Sequence, residues 1–292
     1  MQFFQRENID TNKWDQRIAD DDIENIFCYS WYLDNTAKNW GALIEGDYNT
    51  IVPIPYTTLL GVKQMYQPSF TREIDIFGNS FNWTEVLEYL AKDFKAIHFR
   101  TQHSLQIDGL SERKHQFIEL KDTGLKYSTN AKRLIKKADQ IFNYKKDTDP
   151  NQLIELFKAT AFQKIETLKA KDLISLEQLM KVAINNNKGD LIACYEQDTF
   201  VGAGFFFKDK GRITYLKGVA SEEAKKNGAM FGLINFAIEQ YKEDYNIFDF
   251  GGSEIEGVAN FYKKFGATDR TYYNCEIDNL PVWYKTLKKI KG

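Results

Sequence analysis

The chain has 292 residues and a formal net charge of −2, which argues against a protein that coats nucleic acid through bulk charge. With 43% hydrophobic and 15% aromatic residues it has enough apolar surface for two packed cores, and extended disorder is excluded. No apolar run reaches the roughly 18 residues of a membrane-spanning helix, and the opening MQFFQREN lacks the pattern of a secretory signal. Cys28, Cys194 and Cys275 lie far apart with no C-x-x-C, so buried free thiols in a reducing cytoplasm are expected. His98, His103 and His115 offer no ligand spacing, and no metal site is expected.

In chain order, residues 13–35 fit short helical pieces only loosely. Residues 40–67 alternate apolar runs with turn residues and predict a three-stranded meander. A helix over 83–94 follows, with Trp83, Val86, Leu87 and Leu90 on one face, and then a strand over 96–101. Residues 107–126 carry turn signals around a strand-like HQFIEL and predict a boundary between domains 1–110 and 111–292. A basic amphipathic helix over 129–140, a strand over 141–145 and helices from Pro150 and over 176–184 come next. Strands over 190–196, 199–208 and 212–218, joined by polar turns, form a second meander. A helix over 229–241 leads into the strand NIFDF, the Gly251-Gly252 break, and a helix over 256–265 closed by Gly266.

The two meanders, and the two strands that close each series, are both offset by about 150 residues, close to half the chain. The expected fold is therefore α/β, a unit of β-β-β-α-β order present twice. Its polar equipment gathers at one strand end, where an open α/β sheet exposes backbone N–H groups and leaves a crevice. Asp249, Ser253, Glu254, Tyr262 and Lys263 cluster there, with Gly251 and Gly252 at the turn. Lys217 lies inside the apolar strand ITYLKGV and must reach solvent or an anion, which marks a cleft position. Arg133, Lys136 and Lys137 are helix neighbours that present one cationic face, either to phosphates and an anionic substrate or simply to water.

Several blocks resemble the FemABX aminoacyl-ligase family and its broader GNAT acyltransferase relatives. They are residues 127–138 (YSTNAKRLIKKA), 248–253 (FDFGGS), 261–266 (FYKKFG) with Gly257-Val258-Ala259, and the proline-bearing IVPIP over 51–55 with Tyr66-Gln67-Pro68. The resemblance implies two tandem GNAT-like domains with mixed, mostly antiparallel sheets flanked by helices, the second carrying the active cleft. It implies acyl or aminoacyl transfer onto an amine, with aminoacyl-tRNA or acyl-CoA as donor and no tightly bound cofactor. The acceptor would be a small molecule or peptidoglycan-precursor-like, the helix over 129–140 a tRNA contact, and membrane insertion is not expected. Asp249 or Glu254 would position or deprotonate the amine, Tyr262 or Lys263 would face the oxyanion, and the N–H groups of Gly251, Gly252 and Ser253 would assist.

Two departures qualify it. Where GNAT enzymes carry Q/R-x-x-G-x-G/A for the coenzyme A pyrophosphate, this chain reads Lys225-Lys226-Asn227-Gly228-Ala229-Met230. Gly228 is kept, but Met230 puts a long side chain where phosphate must approach the backbone. The family's F-K-x-x-F-G lysine is replaced by Tyr262, and Lys263 lies about 100° further round the helix. The alternative readings are a CoA-dependent N-acetyltransferase, or a non-catalytic duplicated module that binds a phosphorylated carbohydrate or peptide.

Overall fold

The computed structural model describes residues 1–121, 124–165, 168–252 and 255–291. The first half of the chain runs β1 (Gln2–Gln5), α1 (Thr11–Asp20), α2 (Ser30–Thr36), β2 (Trp40–Glu45), β3 (Thr50–Leu59), β4 (Val62–Met65), α3 (Trp83–Leu90) and β5 (Phe94–Thr101). It continues as β6 (Leu110–Glu119), α4 (Thr129–Ala138), β7 (Phe142–Asp147), α5 (Asn151–Thr160) and α6 (Ala170–Asn185). Then come β8 (Gly189–Glu196), β9 (Thr199–Asp209), β10 (Arg212–Ala220), α7 (Glu222–Lys226), α8 (Ala229–Tyr241), β11 (Ile247–Asp249), α9 (Glu256–Lys263), β12 (Thr268–Asp278) and α10 (Val282–Lys291).

Local chemistry sets the helix ends. Asn82 and Glu85 close a reciprocal capping box on α3, Asp10 caps α1, and the Ser128 side chain caps α4. The third helix stops at Leu90, short of the expected 94, because Phe94 begins β5 and packs edge-on against Phe3 and Tyr56. Among the described residues no helix is long and apolar enough to cross a membrane.

The chain divides into two compact units, Met1–Arg113 with Thr271–Gly292, and Lys114–Arg270. The expectation above placed everything after residue 110 in the second domain, whereas the segment from Thr271 onward clusters with the first unit. Its strand pairing is the reason: β12 runs antiparallel to β5, from Tyr273 opposite Thr101 to Asp278 opposite Ala96. The first unit's strand order is β1-β2-β3-β4-β5-β12. Its first four strands are antiparallel neighbours, β4 and β5 are parallel, and β5 and β12 are antiparallel. The second unit's order is β7-β8-β9-β10-β11-β6, with the same alternation of directions. The fold is thus two tandem α/β units of one wiring, with mixed, mostly antiparallel sheets. Each takes its sixth strand from the other half of the sequence: β6 follows β5 in the chain but pairs with β11, and β12 follows β11 but pairs with β5.

In the second unit one sheet face packs on α8, α4 and α9. Phe206, Phe248, Phe250, Tyr262 and Phe265 form an aromatic core there, with Phe250 and Tyr262 stacked at 4.7 Å and Phe206 and Tyr215 at 5.2 Å. Such pairs add about 0.5–1.5 kcal/mol each beyond simple burial. The other face packs on α5 and α6 through Leu153, Phe157, Leu176 and Leu179. The three cysteines are buried and free.

The connection from β4 to α3 in the first unit corresponds to the one from β10 to α8 in the second, whose charged residues Glu222, Glu223, Lys225 and Lys226 are exposed. The first-unit connection buries Arg72, Glu73 and Asp75. Asp75 accepts from Asn25 Nδ2 at 2.6 Å and from Thr101 Oγ1 at 3.2 Å, and burial, then the neighbouring Glu73 charge, pushes its carboxyl up to about 7.

Fragment complementation tests the strand exchange. Residues 1–113 expressed alone lack β12 and should show no cooperative thermal unfolding, and adding residues 114–292 should restore it. A sharp transition in the isolated 1–113 fragment would show that β12 is dispensable.

Candidate active site

β10 and β11 are paired in parallel only from Arg212 opposite Ile247 to Thr214 opposite Asp249, and then separate. Two local features force them apart. On β10 a bulge inserts Leu216 between Tyr215, opposite Phe206, and Lys217, opposite Phe205. Beyond β11 the chain turns through Gly251 (φ 78°) and Gly252 (φ 84°). A Cβ on Gly251 would lie 2.8 Å from the Tyr215 carbonyl oxygen, and one on Gly252 would lie 2.8 Å from His115 Cβ, so both positions need glycine.

Asp249 anchors this turn. It is fully buried, its Oδ2 accepts from Arg212 Nη1 at 2.8 Å, and its Oδ1 accepts the Gly251 N–H at 2.8 Å. His115 Nδ1 stands 3.4 Å from the same Oδ1. The Gly251 N–H is consequently spent inside the protein.

The divergence opens a cavity of about 520 Å³. From β10 come Tyr215, Lys217 and Gly218; from α8 Met230 and Phe231; from α9 Val258, Phe261 and Tyr262; Lys225 and Gly252 complete the rim. Residues directly opposite one another on antiparallel strands share a face, so the bulge puts Tyr215 and Lys217 on opposite faces of the sheet. Tyr215 goes with Phe206 towards α8, and its hydroxyl fills the place a side chain on Gly218 would need, only 1.7 Å from where that Cβ would stand. Tyr262 stands edge-on to Tyr215 at 6.3 Å.

Burial raises the pKa of both phenols, and for Tyr262 the Asp249 charge adds to it. Among the described residues neither hydroxyl has a hydrogen-bond partner. Lys217 points to the α5 face, where its Nζ lies 3.5 Å from the Phe157 ring centre. Burial lowers its pKa to about 8, and no described carboxylate pairs with it. Lys225 is paired with Glu222 at 2.8 Å.

Tyr262, Lys217 and Gly252 thus meet at one cavity, and Gly251 sits behind it. Asp249 is not part of the lining. Lys263 is exposed and pairs at 3.0 Å with Asp269, which also accepts from Gln116 Nε2. Gly228 (φ 89°) opens α8, and a Cβ there would lie 2.7 Å from the Leu134 carbonyl oxygen, so its glycine lets α4 pack on α8. Arg133, Lys136 and Lys137 lie on the exposed face of α4, away from the cavity, with Lys137 Nζ donating to Asn227 Oδ1 at 2.9 Å. Ser253 and Glu254 lie outside the described residues. Sequence reasoning missed Tyr215, Phe231 and Phe157. Only Tyr215 had a signal, its nearness to Lys217 in the same strand.

No protein-family model matches this chain, and neither does any curated protein. Solved structures do share its fold. The repeated strand order, with a parallel pair that opens in mid-sheet and a helix starting at the opening, is the tandem GNAT-like fold found in FemABX-type proteins. The crystal structure of FemX aligns with a TM-score of 0.71 at 11% identity, over 97% of this chain and 99% of that one. L-PGS from Bacillus licheniformis aligns with a TM-score of 0.60 at 12% identity, over 95% of each chain. A tandem GNAT protein from the clavulanic acid biosynthesis pathway aligns with a TM-score of 0.52 at 9% identity, over 96% of this chain and 99% of that one.

Two stability measurements follow from this geometry. Asp249→Asn weakens a buried ion pair and should lower stability by about 3–5 kcal/mol in denaturant titration; a loss below about 1 kcal/mol would show that the turn is held by its glycines alone. Lys217 has a folded pKa of about 8 against the ordinary 10.5, so the unfolded chain binds the proton more tightly. Its charge therefore destabilises the fold below pH 8, and this penalty fades as pH rises towards 10.5. Lys217→Met should be more stable than the parent at pH 7, with the difference shrinking at high pH. A constant difference across that range would contradict the depressed pKa.

Proposed function

We propose that the chain is an acyl- or aminoacyl-transferase that moves an acyl group onto an amine acceptor in the cleft between β10 and β11. The observation that carries this reading is that two phenols with no hydrogen-bond partner among the described residues, Tyr215 and Tyr262, line one cavity with Lys217 at the point where a parallel strand pair opens. Acyl transfer needs a donor group for the developing oxyanion in a site that excludes water. The Tyr262 hydroxyl, set in an aromatic wall with Phe250 and Phe261, suits that role. The Gly252 N–H is a second candidate donor. Asp249 serves as the anchor of the turn, and Lys263, paired to Asp269, acts outside the cavity.

The lining supplies cations and no described carboxylate, which favours an anionic donor. Between the two donors the reading favours aminoacyl-tRNA. Met230 occupies the first turn of α8 at the cavity, where a coenzyme A pyrophosphate would need close backbone approach, and the adjacent Lys225 is already paired. The exposed basic face of α4 lies on a helix packed against α8 and supplies a surface for a polyanion. The resemblance of residues 127–138 and 248–266 to the FemABX family points to the same donor. The acceptor is a small-molecule or peptidoglycan-precursor-like amine.

Three outcomes test this reading. Calorimetric titration with acetyl-coenzyme A should give a Kd weaker than about 10 μM, roughly −7 kcal/mol; tighter binding would favour a CoA-dependent N-acetyltransferase. Tyr262→Phe removes a hydroxyl with no described partner and keeps the ring. It should slow turnover by about 2–4 kcal/mol in barrier, while the melting temperature stays unchanged. Charge reversal at Arg133 and Lys136 should raise KM for aminoacyl-tRNA and leave kcat alone. Binding of either donor without turnover would point to the non-catalytic module instead.

A further inference from the structure

Acyl transfer to an amine also requires that the attacking nitrogen lose a proton and the leaving group gain one. Most of the ionisable groups around the cleft are committed elsewhere. Asp249 is locked to Arg212 behind the glycine turn, Lys225 is paired with Glu222, and Lys263 with Asp269 lies outside the cavity. The phenols of Tyr215 and Tyr262 are held protonated by burial, so they can donate a hydrogen bond but cannot serve as a base. Lys217 differs. It lines the cavity, and its amine lies on the α5 side, seated over Phe157, with no carboxylate partner among the described residues. The inward face of α5 is apolar, and its Glu155 and Lys158 are exposed.

Resting on the transfer reaction proposed above, we infer that Lys217 is the proton shuttle of that reaction and that the acceptor amine approaches from the α5 face. The Lys217 amine takes a proton from the attacking nitrogen as the C–N bond forms. The resulting ammonium hands that proton to the leaving oxygen or sulfur as the C–O or C–S bond to the acyl carbon breaks. The amine is regenerated, and no further reactant is consumed. The bulge at Leu216 is what makes this possible: in a regular strand Lys217 would share the Tyr215 face, and base and oxyanion donors would crowd one side of the acyl carbon. With the bulge, α8 and the tyrosines address the donor from one face while Lys217 addresses the acceptor from the other. Burial over the aromatic ring supports the role, because an amine with a pKa of about 8 is neutral in about a fifth of molecules at physiological pH, against roughly one in a thousand for an ordinary lysine.

Two measurements on the full chain test this. Trace labelling with deuterated acetic anhydride across pH, read by peptide mass spectrometry, should give Lys217 a half-maximum near 8, well below that of the exposed Lys136. A half-maximum at or above that of Lys136 overturns the inference whatever the enzyme does. Transfer is then followed from aminoacyl-tRNA or acetyl-coenzyme A to glycinamide as a generic amine. Lys217→Arg, which keeps the charge but cannot give up its proton, should lose about 100-fold in kcat/KM and the rise of rate through pH 8. Lys217→Ala should lose a similar factor and recover about tenfold with added imidazole. If Lys217→Arg stays within about threefold of the parent, or imidazole rescues nothing, the shuttle is wrong while the transferase reading stands. If the parent transfers neither donor, both fall.

Discussion

The candidate site depends on the buried carboxylate of Asp249. A charge taken fully out of water must be paired, and this one is met by the Arg212 guanidinium on the neighbouring strand and by the backbone N–H of Gly251. The first contact ties Asp249, at the last paired position of β11, back to Arg212 at the first paired position of β10. The second bends the chain away immediately afterwards. Asp249 thus marks where the pairing ends, and the glycine turn and the β10 bulge just beyond it open the cavity. The two glycines make the turn possible, because the Tyr215 carbonyl and the His115 side chain leave no room for a Cβ there.

From that anchor the two faces of the second unit acquire different chemistry. The α8 face carries stacked aromatics, protonated phenols and the start of a helix, a dry wall suited to an anionic group and a developing oxyanion. The α5 face carries one amine over one ring. A single extra residue in β10 divides these functions, since it reverses the side-chain alternation between Tyr215 and Lys217. The first unit has the same wiring without this equipment. Its corresponding connection buries Arg72, Glu73 and Asp75, so the two copies share a fold and differ in the chemistry they place at the strand ends.

Much of the fold was legible because its strands and helices carry strong hydrophobic periodicity. Strands 190–196 and 199–208 and helix 229–241 were placed to within a residue or two of β8, β9 and α8. The repeat was visible for the same reason. The strand exchange was not, since β12 takes its register from β5, far earlier in the chain, and nothing local in TDRTYYNCEID announces that partner. At the site, Lys217 stood out as a charge inside an apolar strand, and Tyr262 stood out at a motif position. The work done by Asp249 depends on Arg212, whose relation to it exists only once the two strands lie side by side. Gly228 read as a phosphate-loop residue, and its close approach to the Leu134 carbonyl of α4 is a packing fact that no pattern within the loop contains.

The reciprocal placement of β6 and β12 also bears on how the protein is made. As the chain leaves the ribosome, β1 to β5 emerge first, but the open edge of β5 finds its partner only when residue 278 has been added. The second unit, bounded by Lys114 and Arg270, holds all six of its strands earlier. The half synthesised last is therefore the first able to close, and the nascent amino-terminal sheet must wait with an unpaired strand edge, the kind of surface on which neighbouring chains aggregate.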